Sequence, residues 1–100
     1  MTGKIIIHID RDFKDLIPEF MSNRENDIES ITSALRSKDF ETIRILGHSM
    51  KGFAPAYGFD VLGDIGKSLE DAAKAEDAEK IQSLTEELES YIKRVEVVFD

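Results

Sequence analysis

Four stretches of this chain repeat apolar residues every three or four positions, and short runs holding Asp, Pro or Gly separate them. That period restricts the fold more than any other property, because it writes one apolar stripe onto each of four helices. The first stripe is Ile17, Phe20, Met21, Ile28, Ile31, Ala34 and Leu35. The second is Ile43, Leu46, Gly47, Met50 and Ala54, and the third is Leu62, Ile65, Gly66, Leu69, Ala72 and Ala73. The fourth is Ile81, Leu84, Leu88, Tyr91, Val95 and Val98. Asp39, Asp60 and Asp77 stand where N-caps belong, and Pro55 and Gly58 end the second helix. Asp10 caps a shorter helix that carries Phe13, Leu16 and Ile17 on one side. Pro18 suits the first turn of the helix that follows.

The expected helices cover residues 11–16, 18–37, 39–55, 60–75 and 77–98. Short turns between them favour an all-α, antiparallel up-down four-helix bundle with a short extra N-terminal helix closing one end. Gly63 and Gly66 are costly inside a helix, so they mark close backbone packing. Ile5 to Ile9 does not alternate, and a strand there has no partner in an otherwise helical chain. It is expected as an extended lead-in that packs along the helices.

One hundred residues with 41% apolar content make one small domain, residues 1–100, with a single modest core. The chain has no cysteine, which excludes disulfides, thiolate zinc sites and Cys nucleophiles. Its formal charge of −8 repels phosphate backbones and anionic lipid, so neither nucleic acid nor membrane is expected as a partner. No segment reaches the roughly 20 apolar residues of a membrane span. A cytoplasmic location is expected.

Gly47-His48-Ser49-Met50-Lys51-Gly52 is the most informative local sequence. Successive helical residues turn by about 100°. With Ile43 at zero, the apolar stripe of its helix centres near 340°, whereas His48 falls at about 140°. The imidazole therefore points to water, where a core histidine would not sit. Arg44, Lys51, Gly52 and Pro55 share that outer face. Ile45 lies on or near its flank, either as an apolar docking residue or as one of the single exposed apolar residues common on protein surfaces. Gly52 is a poor helix former whose use is to clear an approach to the imidazole. A free imidazole titrates near about 6.5, so its unprotonated nitrogen is a nucleophile at neutral pH. The Lys51 ammonium can hold a phosphoryl group as a point charge, and Arg44 is placed to assist or to form a surface salt bridge.

At these residues the chain resembles a histidine-containing phosphotransfer (HPt) domain of bacterial two-component phosphorelays. His48, Lys51, Gly52, Gly58, Leu69 and Glu70 stand in the order of that family's motif, supported by Phe59 and Leu62. Asp10-Arg11-Asp12-Phe13, Leu16-Ile17-Pro18, Phe20-Met21 and Arg24 resemble its first-helix region, so the likeness covers nearly the whole chain. Pro55 departs from the small residues more usual after the Lys-Gly pair.

The resemblance implies a phosphocarrier rather than an autonomous enzyme. His48 is then the phosphorylation site, Lys51 the electrostatic helper and Gly52 the clearance for a partner, with Arg44, Ile45 and Pro55 at the docking face. Gly58 and Glu70 serve the architecture rather than the transfer. The implied partners are response-regulator receiver domains, with a hybrid sensor histidine kinase as a further candidate. No cofactor is implied for this chain, because Mg²⁺ comes with the receiver. A metal site is not expected: bundle sites use Glu-x-x-His, and the residue three before His48 is Ile45. Ser49 lacks a relay, since neighbouring helical residues do not face each other. The competing reading is a four-helix module that binds receivers or other signalling proteins without taking phosphate.

Overall fold

The computed structural model describes residues 3–100. Its helices begin where short side chains can satisfy orphan backbone N–H groups. Asp39 accepts from the Thr42 amide at 3.2 Å and starts helix α2, Phe40–Phe53. Asp77 accepts from the Lys80 amide at 3.1 Å and starts helix α4, Ala78–Arg94. Asp10 accepts from the Asp12 amide at 2.8 Å, which opens a 3₁₀ helix over Arg11–Leu16. That turn leads directly into helix α1, Ile17–Arg36, with Pro18 in its first turn. Helix α3, Asp60–Lys74, begins differently from expectation. Phe59 is its N-cap without a side-chain bond, and Asp60 lies one residue inside, where its charge complements the helix dipole.

The turns into α2 and α4 repeat one device. Lys38 and Glu76 adopt left-handed backbone, with φ of 58° and 52°. The next residue, Asp39 or Asp77, donates its amide back to Ala34 or Ala72 and then caps the following helix. Helix α2 stops at Phe53, earlier than the expected residue 55. Pro55 opens a short 3₁₀ turn, Pro55–Tyr57, and Gly58 closes it with φ of 93°.

Each helix packs against two others: α1 on α2, α2 on α3, α3 on α4, and α4 back on α1. Their apolar stripes meet in one core that includes Ile31, Ile43, Met50, Leu62, Leu69, Ile81 and Leu88. At one end Phe20 stacks on Phe59 with ring centres 4.7 Å apart, and Tyr57 and Phe53 pack around it. Arg24 is buried among these rings, 4.4 Å from the Phe53 centroid, with its charge met by Asp27.

Two expectations at the chain ends are corrected. Ile5–Ile9 is not an unpaired lead-in but strand β1, and the last helix ends at Arg94 rather than residue 98. Val95–Phe99 forms strand β2, parallel to β1, in the register Ile5↔Val95 through Ile9↔Phe99. Val95 and Val98 fit a helical period by coincidence. The segment is rich in β-branched residues, and alternation decides it: Val95, Val97 and Phe99 turn inward with Ile5, Ile7 and Ile9. Parallel strands need a long crossover, and here the helices supply it.

Candidate functional site

The site lies where α2 and α3 come closest, and glycines set that distance. A Cβ on Gly47 would sit 2.7 Å from the Glu70 amide nitrogen and the Gly66 carbonyl oxygen. One on Gly66 would sit 2.7 Å from the Lys51 amide nitrogen. Only two residues without side chains allow the backbones this approach, as the costly Gly66 in the sequence suggested. The approach brings Glu70 of α3 beneath His48 and Lys51 of α2.

The Glu70 carboxylate, only 6% exposed, is the centre of the arrangement. Lys51 Nζ donates to Oε1 at 2.8 Å, and His48 Nδ1 lies 2.8 Å from Oε2. Lys74 Nζ, one turn further along α3, stands 3.9 Å from Oε2. Hydrogen bonds from Lys51 and then His48, with the charges of Lys51 and Lys74, hold the Glu70 carboxyl down to about 2. At neutral pH it is an ionised acceptor, so the hydrogen between Glu70 and the imidazole belongs to Nδ1. In the neutral ring the lone pair is then on Nε2. His48 is 62% exposed, and among the described residues Nε2 has no hydrogen-bond partner. The arrangement is an oriented nucleophile with its back nitrogen anchored and its front nitrogen in water.

The other expected site residues fall around this centre in different ways. A Cβ on Gly52 would meet nothing within 4 Å, so no neighbour in the fold requires glycine there. Arg44 forms a two-pronged pair with Glu41, at 2.7 Å from each of two donors, and this holds the Glu41 carboxyl below its ordinary range. Ile45 is 50% exposed on the same helix. Pro55 packs its ring against α3: a Cβ on Gly63 would lie 2.8 Å from Pro55 Cγ.

Sequence reasoning assigned Glu70 to architecture and passed over Lys74. A signal for Glu70 was present. On the helical wheel of α3 it falls about 80° from Leu62, beside the apolar stripe rather than opposite it. A carboxylate on that flank is either paired or expensive to bury. Among the described residues no group of three or more His, Cys, Asp or Glu side chains is placed to hold a metal ion. Among the same described residues no helix is long and apolar enough to cross a membrane.

Comparison with known families gives a match to the family model described as Hpt domain, over residues 15–97. No curated protein and no solved structure matches the chain.

Proposed function

The chain belongs to the Hpt domain family, phosphotransfer modules of two-component signalling that act as carriers rather than catalysts, and from that premise we propose that His48 is its phosphoryl acceptor. The observation that carries the reading is the Glu70 bond to His48 Nδ1, which leaves Nε2 exposed and bearing the lone pair in the neutral form of the ring.

In this reading a receiver domain carrying phospho-aspartate docks over His48. The Nε2 lone pair attacks phosphorus, the bond from phosphorus to the aspartyl oxygen breaks, and the carboxylate leaves with that electron pair. Nδ1 keeps its hydrogen, so the ring gains a positive charge that the ionised Glu70 offsets. No proton has to leave in either direction. Transfer to a second receiver aspartate breaks the N–P bond and restores the neutral ring. Lys51 supplies positive charge to the phosphoryl oxygens, and Gly52 leaves room for the receiver. Ile45 adds an apolar contact, with Arg44 and Pro55 at the same face. Mg²⁺ belongs to the receiver, and a hybrid sensor kinase is a second source of phosphoryl groups. The chain works in the cytoplasm on this account, as one antiparallel, up-down bundle.

A module that binds receivers without taking phosphate has no use for an anchored imidazole, and the His48–Glu70 bond therefore favours the carrier. The test is incubation with a phosphorylated receiver. Acid-labile, base-stable phosphate should form on His48 and be absent from His48→Gln, which should still bind the receiver. A His48→Gln protein that relays phosphate as the wild type does would end the proposal.

A further inference from the structure

Glu70 has three cationic or donor neighbours but only two are at hydrogen-bond distance. Lys51 occupies Oε1 at 2.8 Å and His48 occupies Oε2 at 2.8 Å, while Lys74 stands off at 3.9 Å from the same Oε2. This creates a conflict for Lys51. The ammonium that is to meet a phosphoryl group on His48 is already committed to a carboxylate that is only 6% exposed. The phosphorylated ring brings its charge to Oε2 through Nδ1, but turning Lys51 outward leaves Oε1 of this buried carboxylate without its donor, which is unfavourable.

We infer, resting on the reading of His48 as phosphoryl acceptor, that Lys74 is a positioning residue that takes over Glu70 when Lys51 turns to the phosphoryl group. The exchange keeps Glu70 paired in both states and keeps its bond to Nδ1, so the ring stays oriented while one cation leaves.

Three observations select Lys74. It follows Glu70 by four residues on α3, the spacing and order in which Glu and Lys reach each other best. It lies in the last turn of that helix, where the dipole favours a cation, and it is 58% exposed, so it is free to move inward by about an ångström. The other nearby cations are occupied. Arg44 is clamped by Glu41 at 2.7 Å, and Lys67 pairs with Asp71 at 3.1 Å. Among the described residues the only ion pair of Lys74 is with Glu70.

The test uses the full chain and phosphoramidate, a small phosphoryl donor that needs no receiver, with nuclear magnetic resonance of the labelled lysine ammonium groups and the histidine ring. On phosphorylation of the wild type, the Lys74 ammonium signal should shift and its hydrogens exchange more slowly, while the Lys51 signal moves the opposite way from its Glu70-bound position. Lys74→Gln should shorten the phosphohistidine half-life at neutral pH about three- to fivefold, the effect of losing one partly screened ion pair. Lys74→Arg should restore it. A Lys74 signal unmoved by phosphorylation, or a Lys74→Gln half-life within about 1.5-fold of wild type, overturns the exchange while leaving the carrier reading intact. Absence of phosphate on wild-type His48 overturns both.

Discussion

Glu70 decides the behaviour of His48 because one carboxylate oxygen sets which ring nitrogen carries hydrogen. Replacing it with Gln keeps the size but removes the charge that, in the proposed carrier role, offsets a phosphorylated ring. Uptake from a receiver should fall roughly 10- to 100-fold in Glu70→Gln, read as the initial rate of phosphohistidine formation. Acid should act through the same group. Its carboxyl titrates at about 2 in the fold, against an ordinary value of 4.5. A depressed acid stabilises the folded state above its unfolded pKa, and that contribution fades as pH falls from about 4.5 to about 2. Urea unfolding of the wild type should lose stability across this window, and Glu70→Gln should lose less. At this scale His48, Lys51 and Gly52 were legible as an outward group, because a helical wheel needs only local geometry. The part played by Glu70 was not, since its partners lie 22 and 19 residues away.

Helix α2 carries glycine for two opposite reasons. Gly47 faces α3 at a distance no Cβ tolerates, whereas Gly52 faces open space. Gly66 completes the close contact from α3. Gly66→Ala should push the helices apart and destabilise the protein by about 1–3 kcal/mol in urea unfolding. It should also loosen Glu70 from His48, which the Nδ1 resonance would report. Gly52→Ala should do the reverse for stability, adding about 0.5–1 kcal/mol through helix propensity. Its effect on function should be slower transfer from a receiver, with the transfer rate and the urea midpoint moving in opposite directions. The helices themselves were legible to within about two residues at most ends, because caps and stripes are local signals. The α4 end was misread where a valine spacing suited both helix and strand.

Across the whole molecule, the two ends of the chain are tied by a parallel strand pair that spans all four helices. Ile9 shows why this matters to the core: although it lies outside every helix, it is 2% exposed and packs with the buried cluster. Ile9→Ala should cost about 2–4 kcal/mol, checked by urea unfolding, as much as a comparable change inside the bundle. The net charge of −8 surrounds a site where Lys51, Lys74 and Arg44 gather near one carboxylate. The sequence by itself determined the four helices, the caps at Asp39 and Asp77, and the outward direction of His48. Each rests on contacts within a turn or two of chain, where 3.6-residue geometry leaves little choice. Only the tertiary structure decided the strand pairing and the burial of Glu70 beneath His48. Those depend on which distant backbone comes within reach, and here glycine contacts at Gly47 and Gly66 and the β1–β2 register set that distance.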